Sequence, residues 1–307
     1  MDIVLAFWRI QTLPCFLDDY PTAQKVTTYI NKARAVADTM DGERVRLGIP
    51  AAKMMFLAPE HLFRRSSTRM ANLAADAAAI VHAVEQFSAG YPDLMVVPGT
   101  IVWLEEKKLA GYFGRKHLAR NSAYVFCNGQ LVFRYDKHHD AGELLAAETQ
   151  NAKFLPGQLM GSFDLWGLDF GIEICMDHAQ ERLVKQAKLQ GTARFDIHMI
   201  ISSTIHNIGN NLHVKDGGLV IHADGLDDRM SGFVQGTTSK RTGVWEMQPR
   251  LAPKTGGQAS AADKMANPGQ YMDLNRRNSL TLRGAAAPAG MQVQGFDDDV
   301  SVYHMTV

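Results

Sequence analysis

Cysteine is scarce in this chain of 307 residues. Cys15, Cys127 and Cys175 stand far apart, which excludes both a disulfide framework and a cysteine zinc cluster. A reducing cytoplasm is therefore the expected compartment. Neither sign of charge is in excess: 32 acidic residues balance 32 basic ones, so nothing draws the chain to nucleic acid or an anionic membrane. No apolar run approaches the roughly 20 residues of a membrane span. The opening stretch Met1 to Arg9 lacks a basic leader and reads as a first strand, so no signal peptide is expected. No internal repeat interrupts the text. What the chain does have is apolar material, 46% hydrophobic against 21% charged, enough for a large core within one domain over residues 1–307.

The apolar spacing alternates between strand and helix. Ile3 to Phe7 is a candidate strand, and Thr22 to Met40 has helical spacing. Met54 to Ala58 is a short apolar run. Thr68 to Phe87 is the best helix of the chain, alanine-rich and with Leu73, Ile80, Val81, Val84 and Phe87 on one face. Leu94 to Val97 is a strand, which Thr100 to Leu104 continues after Pro98-Gly99. Ala123 to Cys127 and Gln130 to Tyr135 flank Asn128-Gly129, whose two positive φ angles suit a tight hairpin turn. Phe163 to Ile174 reads as two strands hinged at Gly167, followed by a helix from Glu181 to Leu189 and a strand from Phe195 to Ser202. Beyond Ser203 the pattern weakens; Gly218 to His222, Gly243 to Met247 and Val300 to Met305 are further candidate strands. Leu251 to Gly290, rich in Ala, Gly, Pro, Asn and Gln, is expected to be an irregular loop or arm. This alternation predicts a layered α/β fold.

Three polar residues end apolar runs in a way that suggests chemistry. Cys175 stands between a buried strand and a helix, where the turn projects the sulfur and free helix N–H groups favour a thiolate and an oxyanion. Taken alone it is better read as a small buried hydrophobe, as most lone cysteines are. Glu60 closes Phe56-Leu57-Ala58-Pro59, an apolar setting that should raise its pKa and suit a proton acceptor. Lys137 ends the second hairpin strand, where an ammonium near a thiolate would lower the thiol pKa and stabilise an oxyanion. In isolation Glu60 and Lys137 are each better read as an ordinary surface charge.

Their order, Glu-Lys-Cys, resembles that of the nitrilase superfamily of carbon–nitrogen hydrolases. The likeness extends to Pro59-Glu60, to Asn121 to Phe126 with Asn128-Gly129 and Tyr135-Asp136-Lys137-His138-His139, to Phe154-Leu155-Pro156-Gly157, and to Gly171-Ile172-Glu173-Ile174-Cys175-Met176-Asp177. It covers roughly residues 1 to 205. The resemblance implies a four-layer α-β-β-α sandwich, Cys175 as nucleophile, Glu60 as general base and Lys137 as oxyanion stabiliser, assisted by the Met176 N–H. It also implies a second glutamate that positions substrate or water, with Glu148 favoured over Glu143. It implies no metal and no organic cofactor, a small-molecule amide or nitrile substrate, and assembly into a homo-oligomer. Asp136 in place of arginine, and His178-Ala179-Gln180-Glu181 after the cysteine, depart from the pattern and leave the substrate open. Cys175-Met176-Asp177 looks more like the amidase-type branches of that superfamily than its true nitrilases, which implies an amide.

Three other readings compete. A metal hydrolase could draw on His138-His139-Asp140, His206, His213 and His222, but none has helical H-E-x-x-H spacing. A papain-like pair is disfavoured because His178 lies too close to Cys175 in sequence. A catalytically silent protein that binds a ligand through the same fold is the remaining alternative.

Overall fold

The computed structural model describes residues 1–13, 15–108, 117–205, 211–226, 242–247, 280–282 and 299–307. The strands are β1 (Asp2–Arg9), β2 (Lys53–Leu57), β3 (Leu94–Val97), β4 (Thr100–Lys108), β5 (His117–Cys127), β6 (Gln130–Asp136), β7 (Ala152–Phe154), β8 (Ser162–Leu165), β9 (Leu168–Ile174), β10 (Phe195–Ser202), β11 (Val214–Asp224), β12 (Gly243–Met247), β13 (Leu280–Leu282) and β14 (Asp299–Thr306). The helices are α1 (Thr22–Arg46), α2 (Ala74–Ala89), α3 (Ala146–Thr149), α4 (Met176–Ala179) and α5 (Arg182–Gln190).

The strands form two sheets. One runs β14-β1-β2-β3-β5-β4, with β6 and β7 also paired to β5; the other runs β13-β12-β11-β10-β9-β8. Strands β1, β2 and β3 run parallel to one another at the centre of the first sheet, and β9, β10 and β11 do so in the second. Both faces of these central strands are covered, which explains why they read as unbroken apolar runs rather than alternating ones. In β1, Val4, Ala6 and Trp8 face a core shared with Tyr29, Val36 and Met40 of α1 and Ile80 and Val84 of α2. Ile3, Leu5 and Phe7 face the opposite way, into a core shared with Ile172, Ile174, Ile197, Met199 and Ile221 of the second sheet. The far side of the second sheet carries α5. A Cβ on Gly171 would come within 2.8 Å of Leu183 and 2.6 Å of Phe195, so only glycine lets this helix lie so close. The layers are thus helix, sheet, sheet, helix, the sandwich expected above.

Several expectations need correction in detail. The helix anticipated from Thr68 begins at Ala74, because tertiary pairing takes the preceding residues. The Asn72 N–H donates to Val102 O at 2.8 Å and its carbonyl accepts from the Leu104 N–H at 2.9 Å, which ties this segment to β4. The hairpin turn forms as anticipated, with φ of 51° at Asn128 and 71° at Gly129. A second turn of this kind, at Trp166 (φ 58°) and Gly167 (φ 77°), joins β8 to β9. The stretch from Leu251 to Gly290 lies outside the described residues, apart from Leu280–Leu282. Among the described residues no helix is long and apolar enough to cross a membrane.

Candidate active site

The ends of β2, β6 and β9 bring Glu60, Lys137 and Cys175 into one buried cluster that draws on both sheets. Glu60 lies three residues past β2. Its N–H donates across the sandwich to Ser202 O at the end of β10 (3.1 Å), beside Ile201 O, which takes the Cys175 N–H (2.9 Å). Two consecutive carbonyls of one strand thus set Glu60 and Cys175 in register. The Pro98-Gly99 turn packs under Pro59; a Cβ on Gly99 would stand 2.1 Å from Pro59 O, and its φ of +82° also demands glycine. Lys137 directly follows β6, and its N–H donates to Asn121 O at 2.8 Å.

The Lys137 ammonium, 1% exposed, donates to Glu60 Oε1 at 2.8 Å and also to Glu143 Oε1. The Asn121 amide donates from Nδ2 to both carboxylates, at 3.0 Å to Glu60. Cys175 adopts φ 45° and ψ −105°, a strained elbow between β9 and α4 that a non-glycine residue holds only when its surroundings over-determine it. Asp177, fully buried, fastens this elbow to the Lys137 segment. Its carboxylate accepts from Tyr135 Oη (2.8 Å), from the His138 N–H (2.9 Å) and from the His139 N–H (2.8 Å). The Cys-x-Asp spacing therefore has a mechanical purpose: two residues after the sulfur, a side chain grips the strand end that carries the ammonium.

The charges in the cluster oppose the sequence expectation in two places. Burial alone would raise the Glu60 carboxyl. The charges of His61 and Lys137, with hydrogen bonds from Lys137 and the Cys175 thiol, outweigh it and hold Glu60 below the usual carboxylate range. The thiol, expected to be acidified, is instead pushed well above its ordinary value, by burial first and by the Glu60 charge second; Lys137 offsets only part of this. Burial opposes the Lys137 charge, but Glu60 and Glu143 overcome it and keep the ammonium firmly protonated. At rest the proton sits on sulfur and the carboxylate is charged.

The glutamate that meets the Lys137 ammonium is Glu143, and the favoured Glu148 bonds elsewhere. Asp140 accepts the N–H groups of Gly142 (2.9 Å) and Glu143 (3.1 Å), and this tight turn returns Glu143 to the ammonium. Glu148 points elsewhere: it accepts the Leu145 N–H at the start of α3 and the N–H groups of Met70 and Ala71, each at 3.0 Å. A glutamate at the third residue of a short helix is suited to such capping. His61, which sequence reasoning passed over, has its Nε2 3.6 Å from Glu60 Oε1 and is itself left-handed, with φ 65°.

The histidines weighed as metal ligands are otherwise engaged. His138 Nε2 bonds Leu159 O (2.9 Å), His139 Nδ1 bonds Asp177 (2.7 Å), His213 Nε2 bonds Thr192 O (3.1 Å) and His222 Nε2 bonds Ser202 Oγ (2.7 Å). His206 lies outside the described residues. Among the described residues, two other groups converge as possible ligands, Glu60–His61–Glu143 and Glu173–His178–His198. In the first, the Lys137 ammonium already stands between the carboxylates.

Glu173 in the second group carries a consequence for stability. Burial would raise its carboxyl, but hydrogen bonds from His178 and His198 lower it from 4.5 to about 2. A depressed carboxyl contributes its full stabilisation above its unfolded value and loses it as pH falls through the folded one. That contribution is on the order of 3 kcal/mol. His198, lowered by burial, acts in the same direction from a higher pH. The urea midpoint is expected to fall as pH drops below 4.5, and to fall less steeply in Glu173→Gln; equal slopes would contradict this assignment.

No family model and no curated protein matches the sequence. Several solved structures are similar to it in fold. A glutamine-dependent NAD+ synthetase from Acinetobacter baumannii is similar over 73% of this chain and 38% of its own, at 15% identity and a TM-score of 0.47, so the chain spans well under half of that protein. Nit3 from Saccharomyces cerevisiae, a member of branch 10 of the nitrilase superfamily, matches over 80% of this chain and 86% of its own, at 16% identity and a TM-score of 0.48. A carbon–nitrogen hydrolase from Helicobacter pylori matches over 81% and 83%, at 14% identity and the same TM-score of 0.48.

Proposed function

We propose that this chain is a thiol hydrolase of a non-peptide carbon–nitrogen bond, in an amide, a carbamoyl compound or a nitrile. One observation carries the reading: a carboxylate, an ammonium and a strained cysteine from three distant segments meet in one buried cluster. For an amide, Glu60 takes the thiol proton as Cys175 Sγ attacks the carbonyl carbon. Lys137 and the Met176 N–H, which has no partner within its own helix, hold the developing oxyanion. Glu60 passes its proton to the nitrogen, the C–N bond breaks, and ammonia or an amine leaves behind a thioester. Water then gives a proton to Glu60 and attacks the thioester, and sulfur departs with that proton. Glu143 keeps the Lys137 ammonium charged and in place throughout.

The raised thiol pKa fits this sequence. A resting thiolate beside Glu60 would place two negative charges together, so the nucleophile forms only as the substrate accepts it. The test is a screen for ammonia release across amides, nitriles and carbamoyl compounds, with Cys175→Ala as the blank. At least one compound is expected to be turned over by the natural sequence and not by the variant. Equal release by both would sink the proposal. An absence of turnover, with no acylation of Cys175 by an activated ester, would favour the silent binding protein. The same reading carries the expectation of a homo-oligomer, which light scattering on the purified protein checks; a monomer at all concentrations would remove it.

A further inference from the structure

Behind Cys175, on the face of the second sheet that carries α5, lies a buried cluster the reaction does not use. Glu173, His178 and His198 are each 0% exposed. Glu173 Oε2 accepts from His178 Nδ1 and from His198 Nε2, both at 3.0 Å, while Oε1 accepts the Leu183 N–H at 2.7 Å. One carboxylate near the end of β9 therefore grips α4, the first turn of α5 and the neighbouring strand β10.

We propose that Glu173 is a positioning residue for the nucleophile: through His178 and the Leu183 N–H it clamps the two helices that follow the elbow and holds Cys175 in its strained conformation. This rests on Cys175 being the nucleophile. Two non-glycine residues with left-handed φ bracket α4, Cys175 at 45° and Glu181 at 58°. Each persists only if the chain on both sides is fixed. Asp177 fixes the front of the elbow to the Lys137 segment, and the Glu173 bonds span both strained positions from behind. Asn211 completes the hold by donating from Nδ2 to His178 O at 2.7 Å.

A divalent cation is the competing account, since His, His and Glu are zinc ligand types and their atoms lie within 4.8 Å of one another. The His198 tautomer argues against it. The His213 N–H donates to His198 Nδ1 (3.4 Å), so the His198 proton sits on Nε2, facing Glu173. Zinc on Nε2 would drive that proton to Nδ1, against another donor.

The experiment compares Glu173→Gln, His178→Leu and His178→Asn with the natural sequence. Asparagine places a donor where His178 Nδ1 stands and is the rescue. Readouts are kcat and KM on any amide turned over, and the pH dependence of Cys175 alkylation, followed by peptide mass mapping. Glu173→Gln and His178→Leu are expected to lower kcat at least about tenfold with KM within about twofold, and His178→Asn to recover most of the loss. The same two variants are expected to show alkylation of Cys175 at lower pH, because a relaxed elbow takes sulfur away from burial and from the Glu60 charge. If Glu173→Gln does not fold, the His178 pair decides. Kinetics and alkylation profiles unchanged in the variants would overturn the clamp, and so would one equivalent of zinc in the purified protein. Alkylation is read without turnover, so failure of the clamp is distinct from failure of the hydrolase reading.

Discussion

Lys137→Met is expected to abolish turnover and to cost the fold about 3–5 kcal/mol, the range for breaking a buried ion pair by removing one partner. The residue is 1% exposed between Glu60 at 0% and Glu143 at 2%, so its loss strands both carboxylates away from bulk solvent. Methionine fills the volume and leaves two buried carboxylates bridged by the Asn121 amide. Two such charges cannot both persist there, so the pair takes up a proton and its folded pKa rises above the unfolded value. A raised folded pKa stabilises as pH falls, whereas the lowered Glu60 of the natural sequence loses its contribution as pH falls. The urea midpoint of the variant should therefore rise on going from about pH 8 to about pH 5, relative to the natural sequence. A midpoint close to that of the natural sequence, with the same pH slope, would mean that the ammonium does not hold this cluster together.

Glu60→Gln is expected to separate two properties of the site. Loss of the base should reduce kcat/KM by about 10²–10⁴-fold, the range for a positioned general base. Chemical reactivity of the sulfur should move the other way. The Glu60 charge is the second cause of the raised Cys175 pKa, after burial, and Lys137 opposes it. With glutamine the ammonium remains and the neighbouring negative charge is gone, so alkylation of Cys175 should begin at lower pH than in the natural sequence. An unchanged alkylation profile would show that Glu60 does not sense the sulfur and would remove the base from the mechanism.

The chain announced its strands because both faces of the central ones are covered, and unbroken apolar runs such as Leu94 to Val97 have few other uses. Asn128-Gly129 announced its turn because positive φ is costly for most other residues. Glu60, Lys137 and Cys175 were legible as polar residues at the ends of such runs, the positions where a strand delivers side chains to one end of a sheet. The start of α2 was not, because alanine-rich spacing continues through Thr68 to Leu73 while pairing with β4 claims Asn72. The choice between Glu143 and Glu148 depended on a turn built by one aspartate, and local spacing weighs both glutamates alike. Nor could sequence reveal that Glu173, two residues from the sulfur, has histidines from α4 and β10 on one oxygen.

The sequence by itself determined where the main strands and helices run, and that Glu60, Lys137 and Cys175 stand at or just past strand ends, since hydrophobic period and turn chemistry are local properties. Only the tertiary structure decided which glutamate meets the ammonium, and that the resting thiol holds its proton. It also decided that the elbow is gripped from both sides. Those outcomes depend on distance and burial between segments far apart in the chain, where a few ångströms decide whether a charge raises or lowers its neighbour's pKa.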